Sequence, residues 1–210
     1  RWKAVTGCAL SQAYGLTETS PAATINPLAD IPFSGSIGLP ISSTEVSIRD
    51  DSGKELALNE VGEICLRGPQ VTSGYWGRPD ETAKIFFPDA FLKTGDMGYV
   101  DDKGYVFLVD RKKDMILVSG FNVYPNEVEE VVAMHPAVRE VAAIGVPDDQ
   151  TGEAVKLYVA SSDPALTKEA LIDHCKQYLT NYKVPKQIEF RPELPKTNVG
   201  KILRRALRDS

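Results

Sequence analysis

Four short stretches of this 210-residue chain are denser in reactive and glycine residues than a plain scaffold needs. The first is Tyr14-Gly15-Leu16-Thr17-Glu18-Thr19. An aromatic ring, a flexible glycine, a hydroxyl and a carboxylate this close could stack a base, hydrogen-bond a phosphate and hold Mg²⁺. A turn before a capped helix explains the stretch equally well. The second, Thr94-Gly95-Asp96, puts a carboxylate beyond a tight turn, where it could accept two hydrogen bonds from a ribose diol or simply cap the turn. The third, Asp110-Arg111-Lys112-Lys113-Asp114, is five consecutive charges, which a solvated linker would also show. The fourth, Leu194-Pro195-Lys196-Thr197-Asn198-Val199-Gly200-Lys201, uses turn formers to present Lys201 on an exposed loop, able to pair with a phosphate or carboxylate as a point charge.

The elements that must carry these stretches differ between the two halves. Up to Asp110, Gly and Pro recur every few residues between short alternating runs such as Glu45-Val46-Ser47-Ile48, which predicts short antiparallel strands in a compact sheet or small barrel. Asp50 to Gly53 and Asp101 to Gly104 read as hairpin turns. Beyond Asp110, Pro125 to Met134 and Thr167 to Leu179 predict helices, the first opened by Pro, the second capped by Thr167. Strands are expected at 141–146, 155–160 and 187–191, and a basic helix after Gly200. The order β, α, β, β, α, β, α gives an α+β domain with its boundary near Asp110-Arg111.

Composition excludes several classes. Hydrophobic residues make up 42% and charged residues 25%, ordinary values for a globular chain. A net charge of −5 argues against a dedicated nucleic-acid binder, and no apolar run approaches the length of a membrane span. Cys8, Cys65 and Cys175 are far apart and lack zinc-ligand spacing, which suits free thiols in a reducing cytosol. His135, just before Pro136, reads as a solvated or helix-terminal residue, and His174 as structural, both without ligand spacing. The charge is uneven: residues 1–110 carry nine Lys and Arg against fifteen Asp and Glu, and residues 111–210 carry fifteen against fourteen. The basic run from Lys183 to Arg208 fits a solvated face or a site for a phosphate-bearing ligand.

In this order and spacing, the four stretches resemble the adenylate-forming ligase superfamily of acyl-CoA synthetases, luciferases and peptide-synthetase adenylation domains, over essentially the whole chain. The run from Asp110 to Glu127 is most similar to bacterial long-chain fatty-acid–CoA ligases. The resemblance implies that residues 1–110 are the C-terminal part of a large AMP-binding domain, including a barrel-like antiparallel subdomain. Residues 111–210 would be a complete, small, mobile α+β domain. It implies a conversion of fatty acid, ATP and CoA to acyl-CoA, AMP and pyrophosphate through an acyl-adenylate. Tyr14 and Gly15 would lie at the nucleotide, Tyr14 against the adenine; Thr17 would bond a phosphate and Glu18 would hold Mg²⁺. Asp96 would take the ribose hydroxyls with Arg111 beside the same sugar. Lys201 would neutralise charge between carboxylate and α-phosphate, Lys113 would be the hinge, and Ser119 and Gly120 would meet the pantetheine arm of CoA.

Two departures bear on the expectation. Asp89-Ala90-Phe91-Leu92 stands where the superfamily's fatty-acid signature usually reads Asn/Asp-Gly-Trp-Leu. The lysine-bearing phosphate loop and most of the acyl pocket, expected upstream of Tyr14, are not in the sequence. The chain would be about the last two-fifths of such an enzyme, with no turnover by itself. Competing readings are a fatty-acyl-AMP ligase that acylates a carrier protein and a non-catalytic nucleotide- or partner-binding module. A cytoplasmic location is implied, with peripheral contact at the inner face of a membrane within reach of a fatty-acid substrate.

Overall fold

A computed structural model describes residues 2–28 and 34–208. Contacts divide the chain into two units, Arg1–Lys112 and Lys113–Ser210. The division falls two residues beyond the boundary expected at Asp110-Arg111, because a strand continues to Arg111 and pairs it with Asp96.

The first unit opens with α1 (Trp2–Thr6) and a three-stranded antiparallel sheet of two-residue strands, β1 (Ala13–Tyr14), β2 (Thr24–Ile25) and β3 (Leu39–Pro40). β4 (Glu45–Arg49) and β5 (Gly62–Arg67) follow, then α2 (Pro79–Ile85), β6 (Leu92–Val100) and β7 (Val106–Arg111). These four strands form one antiparallel sheet in the order β4-β5-β6-β7. β5 lies inside it, with Ile64, Cys65 and Leu66 fully buried. Ile48, Ile64, Leu66 and Val106 pack with Ala23 and Ile37 into the core of this unit. The β6–β7 hairpin turns where Asp101 Oδ1 accepts the N–H groups of Lys103 and Tyr105 at 3.0 and 2.8 Å, with Gly104 at φ +83°. α2 carries Pro at its start and Asp80 and Glu81 in its first turn, a signature of a helix N-terminus.

The Asp89–Leu92 segment is anchored by its side chains. Asp89 pairs with Arg49 through two hydrogen bonds of 2.9 and 2.7 Å, and the Phe91 ring lies 4.1 and 4.4 Å from the guanidinium carbons of Arg49 and Arg67. Two cations stacked on one ring anchor the turn that leads into β6. Ala90 sits there at φ +66°, a conformation glycine adopts without strain.

The second unit contains β8 (Ile116–Val118), β9 (Phe121–Val123), α3 (Pro125–Ala133), β10 (Val138–Asp148), β11 (Gly152–Ser161), α4 (Lys168–Tyr178), β12 (Gln187–Phe190) and α5 (Arg204–Arg208). The sheet runs β10-β11-β8-β9, and β12 pairs in parallel with β11. Where sequence reading expected one strand before α3, there is a two-residue hairpin, since Ser119 and Gly120 both adopt positive φ, +51° and +84°. Thr167 caps α4 as expected, its hydroxyl accepting the Ala170 N–H at 3.2 Å.

The sheet of this unit is covered on both faces, which is why β10 and β11 read as continuous apolar runs. Val141, Ala143, Val155, Leu157 and Val159 face Val128 and Val132 of α3 and Leu171 and Cys175 of α4. Ala142, Ile144, Tyr158 and Ala160 face Leu194 and Leu207 on the other side. The buried Tyr158 hydroxyl donates to the Leu207 carbonyl at 3.0 Å, fastening α5 to the sheet. Met134, just after α3, and Tyr178, the last residue of α4, are exposed although apolar periodicity would place them inside, whereas Leu179, one residue further on, is buried in the core. Among the described residues no helix is long and apolar enough to cross a membrane.

Candidate functional site

Tyr14 closes β1, Asp96 lies on β6 and Arg111 ends β7, and the fold brings all three together. The Tyr14 hydroxyl donates to Asp96 Oδ2 at 2.7 Å, and Asp96 is the cross-strand partner of Arg111. Burial, then the hydrogen bond to Asp96, pushes the Tyr14 phenol well above its ordinary pKa, while the Arg111 charge opposes that rise. Tyr14 therefore stays a neutral donor. The Thr94 hydroxyl fixes the turn before Asp96 by donating to the Ile64 carbonyl at 2.7 Å and accepting the Asp96 N–H at 3.1 Å.

Gly15 has a purely steric reason to be glycine: a Cβ there would lie 1.6 Å from the Pro21 carbonyl oxygen. Thr17–Thr19 form a single 3₁₀ turn, so the capped helix considered from sequence is one turn long. The buried Thr19 hydroxyl accepts the Leu16 N–H at 2.8 Å and thereby fixes the turn's entry. Thr17 itself is exposed. Glu18 Oε1 accepts the Tyr75 hydroxyl at 2.6 Å, a bond that raises the Tyr75 pKa.

A cavity of about 380 Å³ opens here, with Glu18, Glu63, Tyr75, Thr94, Gly95 and Lys112 on its walls. Glu63, buried on β5, accepts the Gly95 N–H at 3.0 Å and the Lys112 ammonium at 2.7 Å, and Lys112 also pairs with Asp51 at 2.7 Å. Burial works to lower the Lys112 pKa, but these two carboxylates outweigh it and raise it overall. The ammonium therefore stays charged. A space of this size, lined by two carboxylates, three lysines, two hydroxyls and a backbone turn, suits a polar, charged ligand.

Glu18 supplies oxygen ligands of the kind Mg²⁺ takes, and Mg²⁺ is commonly held by one or two carboxylates together with phosphate oxygens and water. Among the described residues no cluster of three or more His, Cys, Asp or Glu could hold a metal unaided. The residues present thus fit an ion that arrives with a phosphorylated ligand. Burial pushes the thiols of Cys65 and Cys175 up to about 12 and about 11, so neither is a thiolate nucleophile near neutrality.

The other expected residues lie in the second unit, on separate loops. Ser119 and Gly120 form the exposed β8–β9 turn, held from behind by the Ser119 N–H donating to the Thr151 carbonyl at 2.8 Å. Lys201 is exposed and follows Gly200 (φ +82°) in a loop closed at its base by a Lys196–Ile202 bridge and by the Leu203 N–H donating to the Pro195 carbonyl at 2.8 Å. Lys113 is exposed, the first residue of its unit.

Sequence reasoning did not single out Glu63 and Tyr75, and it passed over Lys112 as a member of a charge run. Glu63 could have been found, since a carboxylate beside Ile64-Cys65-Leu66 on a buried strand needs a cation or donors. Nothing in the sequence links Tyr75 to Glu18.

The model for the AMP-binding enzyme family matches residues 1–76, and that for the AMP-binding enzyme C-terminal domain matches residues 127–201. The chain is 60% identical, over its whole length, to a long-chain-fatty-acid–CoA ligase of Salmonella typhimurium, of which it spans 37%. It is 42% identical over 212 residues to ScoC of Streptomyces coeruleorubidus, a fatty acid–[acyl-carrier-protein] ligase, with 98% of this chain and 40% of that protein covered. ATP-bound MatB from Rhodopseudomonas palustris superposes with a TM-score of 0.91 at 35% identity, over 99% of this chain and 42% of that one. The chain thus spans well under half the length of the relatives it matches. With both family models matched in sequence order and its whole length aligned to such ligases, the chain belongs to the AMP-binding, adenylate-forming enzymes.

Proposed function

We propose that the chain is the C-terminal portion of a long-chain fatty-acid–CoA ligase. Residues 1–112 would complete the large nucleotide-binding domain, and residues 113–210 would be its small mobile partner. The observation that carries this reading is the Tyr14–Asp96–Arg111 constellation, a neutral aromatic donor, a carboxylate and a cation set on three strands beside a polar cavity.

In the first half-reaction the fatty-acid carboxylate attacks the α-phosphorus of ATP. An O–P bond forms, the bond to the β-phosphate oxygen breaks, and pyrophosphate leaves. Tyr14 lies against the adenine with its hydroxyl moored to Asp96, and Asp96 Oδ1 takes the ribose hydroxyls with Arg111 beside them. Gly15 lets this backbone run against Pro21 and Thr17 bonds a phosphate oxygen. Glu18 would hold Mg²⁺, which would supply positive charge for the phosphate oxygens. Lys201 sets its ammonium between carboxylate and α-phosphate, where it meets charge that grows in the transition state.

In the second half-reaction the CoA sulfur attacks the acyl carbonyl. A C–S bond forms, the C–O bond to AMP breaks, and the thiol proton goes to solvent. Rotation about Lys113 withdraws Lys201 and brings the Ser119-Gly120 turn to the pantetheine arm, whose close approach the bare Gly120 backbone permits. The test is to give the full-length enzyme palmitate, ATP and CoA: AMP, pyrophosphate and palmitoyl-CoA in equal amounts are expected, and no thioester from acids of any chain length overturns the proposal. The similarity to ScoC favours a second reading in which the acceptor is a carrier-protein pantetheine. Acylation of a holo-carrier protein in place of free CoA in the same assay would select it.

A further inference from the structure

The chain passes from one unit to the other between Lys112 and Lys113, and both neighbours of Lys113 are ion-paired within their own units. On one side, Lys112 reaches Glu63 and Asp51, each at 2.7 Å. Glu63 is buried on the inner strand β5 and also holds the Gly95 N–H. On the other side, the buried Asp114 accepts Arg208 at 2.7 Å and lies 3.6 Å from Arg204. Both arginines belong to α5, which begins three residues after Lys201. Arg204 in turn donates to Glu129 at 3.1 and 2.7 Å and to Asn126 at 2.8 Å, both on α3. Lys113, between these two clasps, is exposed.

We propose that Glu63 and Asp114 are positioning residues that confine any rotation of the two units to the backbone of Lys113 alone, and that Asp114, through α5, makes the Lys201 loop travel with the hinge as one body. The proposal rests on the two-half-reaction reading above. Glu63 and Asp114 are buried while Lys112 and Arg208 are about a third exposed, so each clasp is held by the cost of leaving the carboxylate, not the cation, without a partner. With Lys112 and Asp114 held, two backbone dihedrals remain to turn; with either released, the motion spreads over neighbouring residues and the Lys201 ammonium samples a wider volume. That dilution lowers the chance of a productive encounter, because reactive groups lose their effective concentration when orientation loosens.

The test uses full-length enzyme with spin labels at Lys103→Cys and Glu169→Cys, both exposed and one in each unit, on a background with other reactive cysteines replaced. Interspin distance distributions are compared for Glu63→Gln, Asp114→Asn and Arg208→Gln, with Asp51→Asn as a control at an exposed partner. Glu63→Gln, Asp114→Asn and Arg208→Gln should each broaden the distribution about twofold, with Asp51→Asn much nearer wild type. Adenylate formation should fall about tenfold in Asp114→Asn at unchanged KM for ATP. A purely structural role would lower Tm without widening the distribution. Unchanged widths in all three variants overturn the proposal, whatever happens to Tm. Because the distances are measured without substrate, an enzyme that makes no acyl-adenylate would sink the catalytic reading and still leave the hinge to be judged.

Discussion

The two units hold their chemistry in opposite ways. In the first, Tyr14, Glu18, Glu63 and Asp96 each have a hydrogen-bond partner on another segment of the same unit. In the second, Ser119, Gly120 and Lys201 stand on exposed turns that are held through the backbone, Ser119 by Thr151 and Lys201 by Thr197. The difference separates two demands. Under the proposed function, groups that would read the shape of a bound nucleotide gain from being fixed before it arrives, since ordering them afterwards would weaken binding. Groups that must enter and leave a site gain from standing clear of their own scaffold.

Loss of a group in the second unit should therefore fall on rate, and loss in the first on affinity. Lys201→Ala should slow adenylate formation by about 10² to 10³, the range for removing one preorganised electrostatic contact. Thioester formation from supplied acyl-AMP should change much less. Pyrophosphate release and thioester assays on the full-length enzyme separate the two, and equal losses would make Lys201 structural and erase the contrast. Tyr14→Phe removes one hydrogen bond of about 1 kcal/mol and should raise KM for ATP about fivefold with kcat nearly unchanged. A fall confined to kcat would place Tyr14 with the travelling groups.

Much of the second unit was readable from sequence. Pro125 at the start of α3 and Thr167 as the cap of α4 are local signals that act within one turn of helix. The turn at Asp101–Gly104 is equally local. The partnerships that organise the site are not: Lys112 meets Glu63 across 49 positions and Arg208 meets Asp114 across 94. Such pairs are set by strand order and by which helix covers which face, and neither side of a pair carries a mark of the other. The family resemblance supplied roles for Tyr14, Asp96, Lys113 and Lys201 where periodicity could not, yet it left Glu63 as one more charge on a strand.

Two smaller experiments probe the scaffolds. Ala90→Gly should stabilise the first unit by about 0.5–1 kcal/mol, because Ala90 at φ +66° bears a strain that glycine does not. A lower denaturation midpoint would mean the Ala90 methyl contributes packing that outweighs the strain. In the second unit, Asp148 shapes the turn whose Thr151 carbonyl holds Ser119. Hydrogen bonds from Thr151, then from Lys186, keep its carboxyl below the ordinary carboxylate range. A depressed native value gives a contribution that is complete above the ordinary Asp pKa of about 4 and is lost as pH falls through the lower native value. Thermal melts from neutral pH into the acid range should show a shallower decline for Asp148→Asn than for wild type. A matching slope would mean the turn stands without that charge.

The short helix α5 closes over elements that precede it by many residues. Leu207 seals the Tyr158 side of the sheet, and Arg204 and Arg208 fasten Asp114, yet all of this lies after Lys201. A polypeptide that stopped just past Lys201 would keep Leu194 and the Lys196–Glu140 pair but lose the Leu207 cover of Tyr158 and the Leu203–Pro195 bond that closes the loop. The last turn of the described chain is therefore a lock on the loop that precedes it, holding by apolar cover what the loop's own hydrogen bonds hold by direction.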